Sequence, residues 1–315
     1  MQAVPQLLEH LRRECSKVIV GQQEFRDQCL VTLFCRGHAL LEGVPGVAKT
    51  LLVKTLSRIL GLEFQRVQCT SDLMPSDIIG TNVLNIATSS FNFHKGPVFT
   101  DFLLVDEINR MPPRTQAALL ECMEEYQVTI DGMRYQLPGS FSVFATQNPV
   151  EFEGTYPLPE AQLDRFLLKI RVPYPAAGDE VEILANVQNG FEAREIERMG
   201  LSPLPPGLLA QAQHEVQAVR VEPALFNYIV QIARRTRDWP SLSLGASPRA
   251  AISMMVSARA MAAIDGRDYI IPDDVKGAAA PVLRHRLVLK PEADLEGLTA
   301  DLIIADVLRA VEVPK

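Results

Sequence analysis

A short glycine-containing loop between an apolar run and a helix-forming run constrains this chain more than any other feature. Residues 38–41 before the loop predict a buried strand, and residues 51–56 after it predict the start of a helix. In this context the loop predicts a phosphate cradle, because backbone N–H groups of the loop and of the helix N-terminus point at the β-phosphate. The loop residues are Gly43, Val44, Pro45, Gly46, Val47, Ala48, Lys49 and Thr50.

The last three residues of the loop carry its chemistry and its one irregularity. Lys49 is expected to reach the β- and γ-phosphates, and the Thr50 hydroxyl is expected to bind Mg²⁺. Ala48 departs from the general pattern, which has glycine before the lysine. Its methyl group is tolerable if Ala48 already has helical dihedral angles, and it weakens the match of the bare motif. The alternative, an ordinary glycine turn, is disfavoured by the strand–loop–helix context.

The charge balance argues against a general nucleic-acid-binding surface. The 315 residues include 38 acidic and 31 basic side chains, a net charge of −7, although a local basic patch is compatible with these numbers. The length suffices for two domains. Five cysteines without a Cys-x-x-Cys spacing predict free thiols in a reducing compartment. Since no apolar run spans a bilayer and no signal peptide is recognisable, we expect a cytoplasmic protein without membrane insertion.

A second anchor is the apolar run 102–105, which leads directly into Asp106 and Glu107. Such a run suits a central strand covered on both faces, and its C-terminal end is where open α/β sheets place ligands. We expect Asp106 to hold Mg²⁺ through its waters and Glu107 to orient and activate the attacking water. The alternative is a strand that ends in a solvated acidic turn. A spacing of about sixty residues from the phosphate loop favours the catalytic interpretation.

Asn148 follows the predicted strand 141–146 and is a candidate for positioning that water. Its side chain lies level with Glu107 if the two strands are neighbours. The alternative is a turn-forming Asn-Pro dipeptide. Two hairpins are also predicted, one from residues 82–86 and 90–94, the other from residues 128–130 and 134–136 around an Asp-Gly turn.

Residues 173–175, Pro-Tyr-Pro, mark a predicted boundary between residues 1–172 and a helical part, residues 173–315. Ser247 is the predicted N-cap of a helix over 248–265. Arg249 in its first turn opposes the helix dipole unless a phosphate lies nearby, and the alternative is a solvated arginine. Four residues of this helix fall on one face, which we expect to be core: Ile252, Met255, Val256 and Ala263. The other helices are predicted over 179–188, 206–220, 223–238 and 272–286.

Taken together, these stretches resemble the MoxR family of AAA+ ATPases over nearly the whole chain. The resemblance implies an α/β fold: a P-loop AAA+ αβα domain with a parallel central sheet and two hairpin inserts over 1–172, then a small all-helical lid domain over 173–315. Ala48 is the usual variant in that family. The matching stretches are residues 42–50, 96–99, 105–110, 145–149, 158–166 and 245–250.

The same resemblance implies roles for individual residues. The loop binds ATP, with Lys49 and Thr50 as the Walker A pair; Asp106 and Glu107 look like the Walker B pair. Three further residues match family positions: Asn148 as sensor 1, Arg165 as the arginine finger that acts on the neighbouring subunit's nucleotide, and Arg249 as sensor 2, which contacts the γ-phosphate of its own chain from the lid.

Family membership would also imply a hexameric ring that remodels protein clients with a partner containing a von Willebrand factor A (VWA) domain. One alternative is a nucleic-acid-remodelling or helicase-like ATPase; the acidic chain and the single cation, Arg134, at the tip of the second hairpin argue against nucleic-acid binding. A non-hydrolysing module is a further alternative, disfavoured because Lys49, Asp106, Glu107 and Arg165 are all intact. A metal-chelatase or rubisco-activating motor stays open.

Overall fold

The structure is a computed structural model that describes residues 1–87, 89–148 and 154–314. In these residues the strands are β1 (Ala39–Glu42), β2 (Phe64–Gln68), β3 (Gly80–Asn85), β4 (Ser90–Lys95), β5 (Phe102–Asp106), β6 (Gln127–Ile130), β7 (Met133–Gln136), β8 (Ser142–Gln147), β9 (Leu168–Arg171), β10 (Leu242–Leu244) and β11 (Val288–Leu289). The α-helices are α1 (Ala3–Cys15), α2 (Gln23–Phe34), α3 (Lys49–Leu60), α4 (Pro75–Ile79), α5 (Pro113–Glu125), α6 (Glu160–Leu163), α7 (Ala177–Gln188), α8 (Leu208–Gln217), α9 (Pro223–Arg237), α10 (Pro248–Ile264), α11 (Pro272–Leu283), α12 (Pro291–Leu295) and α13 (Ala300–Ala310).

The central sheet has five parallel strands in the order β2-β5-β8-β1-β9. Alternate residues of β5 face opposite sides of the sheet: Leu104 packs in one hydrophobic cluster with α1 and α3, whereas Leu103 and Val105 pack in another with α5. Both faces are therefore covered, which explains why the strand is a continuous apolar run rather than an alternating one. The predicted parallel sheet is confirmed.

Both predicted hairpins form, and they pack on each other. β3 pairs with β4, and β6 pairs with β7, each antiparallel. The rings of Phe93 and Tyr135 lie 4.3 Å apart between centroids, and the Asn82 amide donates a 2.6 Å hydrogen bond to Asp131. Thr88, in the first hairpin's turn, lies outside the described residues. Two segments distant in sequence thus make one projection from the sheet.

The second half is mainly helical, as predicted, with two differences. A short antiparallel pair, β10 with β11, interrupts the helices, and α12 and α13 follow beyond the last predicted helix. One residue of the predicted core face of α10 is wrong: Ile252 is 60% exposed, whereas Ala263 is fully buried and Met255 and Val256 pack half-buried against the core. The buried stripe contains small residues, among them Ala250 and Ser257, which let α10 pack closely against its neighbours. A stripe of alanine and serine has too little hydrophobicity to stand out by periodicity.

The two halves of the chain share one hydrophobic cluster. Glu215 of α8 reaches the start of α1 and accepts hydrogen bonds from the N–H groups of Gln2, Ala3 and Val4 at 2.7–3.0 Å. Burial acts to raise the pKa of Glu215, but these three N–H groups outweigh it and leave the pKa below its usual value. In the described residues, no helix combines the length and the apolarity needed to cross a bilayer.

Candidate active site

The phosphate loop connects β1 to α3, and α3 begins at Lys49. The Lys49 ammonium donates a hydrogen bond to the carbonyl oxygen of Gly43, six residues back, so the lysine side chain folds over the loop. Gly46 has φ +88° and Ala48 has φ +58°, both in the left-handed region. Ala48 therefore lacks the helical dihedral angles under which we expected its methyl group to be tolerated, and it sits in a conformation that favours glycine.

Burial lowers the pKa of Lys49 below its usual value, whereas the charges of Asp106, Glu107 and Glu42 act to raise it. An ammonium group that is half-buried beside a loop of backbone N–H groups lacks full hydration. A polyphosphate at this position would replace that hydration with negative charge. The loop and Lys49 thus have the positive charge and the position, at the C-terminal end of β1, that an anion site requires.

The two carboxylates follow β5 and are held differently. Asp106 is 6% exposed; its Oδ1 accepts from the Thr146 hydroxyl at 3.2 Å, and its Oδ2 accepts from Nε of Arg66 at 2.6 Å. Glu107 has φ +59°, and its N–H donates to the same Thr146 hydroxyl at 2.9 Å. Its carboxylate pairs with Arg110 at 2.7 Å. The two adjacent carboxylates therefore have different cationic partners, Arg66 for Asp106 and Arg110 for Glu107.

Asn148 lies where the sequence predicted it. β5 and β8 are neighbours with Val105 opposite Ala145, so Asn148 extends beyond the end of β8 next to Glu107. It is 8% exposed and borders the same cleft as Lys49 and Glu107. Pro149, the next residue of the motif, lies outside the described residues.

The cleft has a volume of about 460 Å³. It is lined by five of the predicted loop residues (Pro45, Gly46, Ala48, Lys49 and Thr50), by the predicted residues at both strand ends, and in addition by Arg66, Gln68 and Thr146. These three were not predicted as site residues: Arg66 and Gln68 belong to no recognised motif, and Thr146 lies in the matching stretch 145–149 but was given no role. A signal was available for two of them: residues 66 and 68 share one face of a strand by the period of two. That strand, β2, is adjacent to β5.

Arg165 and Arg249 lie near the N-terminal ends of the sheet strands, on the side opposite the cleft. Both contact Glu124 of α5, Arg165 at 2.9 Å and Arg249 at 3.5 Å. The carbonyl of Met123, the residue before Glu124, accepts a hydrogen bond from His38, which immediately precedes β1. The two arginines are thus near the N-terminal end of β1, whereas the phosphate loop follows its C-terminal end.

The expectation that Arg249 contacts the nucleotide of its own chain is therefore not met. The physical reason is how α10 is anchored. Ser247 caps α10, as predicted, by accepting from the N–H of Ala250 at 3.2 Å, and its hydroxyl donates to Asp164 at 3.5 Å. Asp164 in turn pairs with buried Arg286 at 2.6 Å. This network fixes the start of α10 beside the turn that carries Arg165.

Comparisons with known proteins agree with this geometry. Residues 38–168 match the ATPase family associated with various cellular activities (AAA), and residues 234–307 match an AAA lid domain. The chain is 44% identical to Chaperone MoxR1 of Mycobacterium tuberculosis, over 98% of this chain and 82% of that protein. It is 33% identical to Protein MoxR of Paracoccus denitrificans, over 91% of each. A crystal structure of a candidate ATPase from Cytophaga hutchinsonii superimposes with a TM-score of 0.89 at 41% identity, covering 99% and 96% of the two chains.

The parallel sheet, the phosphate loop and the paired carboxylates place the chain in the class of AAA+ ATPases. Within that class it belongs to the MoxR family, since relatives of that name match it over nearly its whole length.

Proposed function

We propose that this ATPase hydrolyses ATP with Mg²⁺ in a hexameric ring and uses the energy to remodel protein clients in the cytoplasm. The observation that carries the proposal is the cleft in which Lys49, Thr50, Asp106, Glu107 and Asn148 converge. A hydroxyl and a carboxylate facing one cleft are the hard oxygen donors that suit Mg²⁺. The anion site beside them suits the phosphates.

In the proposed mechanism each side chain has one task. The loop N–H groups and Lys49 bind the β- and γ-phosphates, and Thr50 and Asp106 hold the metal, which neutralises charge on the phosphates when bound. Glu107 takes the proton of the attacking water, and Asn148 orients that water. Glu107 is ion-paired with Arg110, so it has to exchange this partner for the water before it acts as a base.

Arg165 and Arg249 complete the site of a neighbouring subunit in this proposal. They lie at the N-terminal edge of the sheet, away from the cleft of their own chain, and Glu124 holds both. A head-to-tail contact would bring this edge against the next subunit's cleft, and such a heterologous contact either closes as a ring or continues as a helix; we propose the ring. An arginine supplied in this way contributes roughly 10³–10⁵ in rate.

Mixing two inactive variants tests the shared site. Glu107→Gln is expected to bind ATP without hydrolysing it, and Arg165→Ala to retain an intact cleft without its finger. Rings that contain both place an intact cleft beside an intact Arg165, so we expect ATPase activity to reappear on mixing. A matched control combines Glu107→Gln with Lys49→Ala, where every cleft is defective and activity stays absent. No recovery in the first mixture, with rings shown to exchange subunits, would refute the shared site.

The client-binding part of the proposal is supported by the first hairpin. It exposes apolar side chains, with Ile86 86% and Phe91 70% exposed. One relative is named a chaperone.

We propose that a VWA-domain protein assists and that the lid, residues 173–315, moves against residues 1–172 during the cycle. We expect the protein to suppress the aggregation of a heat-denatured protein in a manner that depends on ATP. A variant with Ile86→Ser and Phe91→Ser should lose this suppression while its ATPase activity stays normal.

A further inference from the structure

Both carboxylate oxygens of Asp106 are engaged by protein groups. Thr146 donates its hydroxyl to Oδ1, and Arg66 donates Nε–H to Oδ2 at 2.6 Å. The Asp106 side chain is only 9% exposed, whereas that of Arg66 is 51% exposed. A buried carboxylate without a compensating partner is costly, and the Arg66 guanidinium supplies a positive charge beside Asp106.

The proposed function requires the same carboxylate for Mg²⁺. The Thr146 hydroxyl already occupies Oδ1 of Asp106 and the Arg66 guanidinium occupies Oδ2, so a hydrated cation at Oδ2 would meet a like charge that repels it. We propose that Arg66 is an exchangeable counter-ion of Asp106, which occupies the carboxylate until Mg²⁺ arrives and is then displaced into the cleft. This inference rests on the proposed metal-binding role of Asp106.

The surroundings of Arg66 allow the exchange. Arg66 lies on β2, which is the edge strand of the sheet, so its half-exposed side chain has space to move. It already has a second partner, since its Nη2 donates to the Gln68 side chain at 3.0 Å. Arg66 also borders the cleft that contains Lys49. A displaced guanidinium thus stays beside the phosphate site, where an anionic nucleotide compensates the lost carboxylate.

Arg66 is consequently a positioning residue whose contact with Asp106 opposes metal binding. Removing it leaves Asp106 free for the metal, so the affinity for the metal should rise although a polar contact has been deleted. A purely structural role predicts the reverse, because loss of the contact would loosen Asp106 and weaken the site. The sign of the change in metal affinity separates the two roles.

The experiment titrates Mn²⁺, a paramagnetic substitute for Mg²⁺, into the full-length protein saturated with ADP and follows free Mn²⁺ by electron paramagnetic resonance. For Arg66→Gln we expect the Mn²⁺ dissociation constant to fall by roughly three- to thirtyfold. Arg66→Lys keeps the charge without the guanidinium fork and should fall between wild type and Arg66→Gln. Equal or weaker Mn²⁺ binding in both variants overturns the exchange.

Two controls separate this inference from the proposed site. Arg58→Gln removes one positive charge outside the cleft, from a residue that pairs with Glu197, and should leave the Mn²⁺ dissociation constant unchanged. Asp106→Asn should weaken Mn²⁺ binding strongly. If Asp106→Asn binds Mn²⁺ as tightly as wild type, the metal site itself is wrong and the exchange falls with it. If only the Arg66 variants match wild type, the exchange alone is wrong.

Discussion

Ala48 carries backbone strain at the point where the loop meets α3. Its φ of +58° costs an alanine about 1–2 kcal/mol relative to a right-handed conformation, whereas glycine has no such penalty. The neighbouring Lys49 depends on this turn, because it is the residue at which α3 begins and whose ammonium returns to Gly43. A strained residue beside a phosphate site is typical of functional loops that the surrounding fold holds in place.

Substitution of Ala48 by glycine should therefore be nearly neutral or stabilising. The strain it relieves, about 1–2 kcal/mol, is offset by about 0.4–1 kcal/mol of additional entropy in the unfolded chain, so the free energy of unfolding should stay unchanged or rise by at most about 1.6 kcal/mol. Ala305→Gly in α13 is the matched control, and there the same change should destabilise by about 1 kcal/mol because the backbone is helical. Urea unfolding measures both. Equal destabilisation by the two substitutions would show that Ala48 is not strained.

At the scale of single residues, the sequence predicted those that belong to motifs and missed those that act through a contact with another side chain. Lys49, Asp106 and Glu107 were predicted as site residues because the chemistry of phosphate binding restricts both residue type and spacing, and all three line one cleft. Arg66 was missed because an arginine on an edge strand resembles any solvated charge. Arg249 was singled out from the sequence, but the structure places it away from the cleft of its own chain. Contacts between segments distant in sequence decide where α10 begins, and the sequence pattern does not show them.

Helix α1 is tied to the helical half of the chain at both ends. Glu215 of the helical half contacts the start of α1, and Glu14, in the last turn of α1, contacts the helical half. Glu14, 2% exposed, accepts from Lys17 at 2.6 Å, from the N–H of Ser202 at 3.0 Å and from Arg13 at 3.2 Å. The hydrogen bond from Lys17, then that from Ser202, lowers the pKa of Glu14 from 4.5 to about 2, against the opposing effect of burial. Glu14 thus links α1 to the loop before α8 more strongly when its carboxyl group is ionised than when it is protonated.

The pKa of Glu14 gives a pH dependence with a definite sign. Because the folded pKa is depressed, its contribution to stability is full above pH 4.5 and is lost as the pH falls towards 2. Glu14→Gln should lower the free energy of unfolding at pH 7 by about 1–2 kcal/mol and flatten its decline between those pH values. Urea unfolding across this range measures the effect, with the exposed Glu9→Gln as control. A decline as steep in Glu14→Gln as in wild type would contradict it.

Helices and strands were predicted correctly where only one structure explains the sequence pattern. β5 was predicted because a strand covered on both faces has to be apolar throughout, and the second hairpin because its Asp-Gly dipeptide suits a tight turn. In α10, Ile252 was wrongly assigned to the core because the buried contacts are made largely by small residues, which are too weakly hydrophobic to outweigh an exposed isoleucine in the pattern. β10 and β11 are too short to give a periodic signal, and each is paired only through the tertiary fold.

At the scale of the whole molecule, the separation of the two functional edges matters most. The cleft lies at the C-terminal edge of the sheet, and Arg165 and Arg249 lie at the other, held by Glu124. Under the proposed function, a single subunit carries every group of the site but holds the two arginines away from its own cleft. We then expect activity to depend on contacts between subunits, and we expect both arginines to leave Glu124 when a neighbour's nucleotide replaces it.

The position of Arg249 leads to a prediction that shows whether this arginine serves the cleft of its own chain or that of a neighbouring subunit. Arg249→Ala alone should be nearly inactive in either case. Mixed with Glu107→Gln, it should recover ATPase activity, because an Arg249→Ala subunit has an intact cleft and its neighbour supplies Arg249. If Arg249 instead served its own chain, each cleft in the mixture would lack either Arg249 or Glu107, and the mixture would stay inactive. Phosphate release measured against the mixing ratio should therefore peak near equal amounts, where unlike neighbours are most frequent.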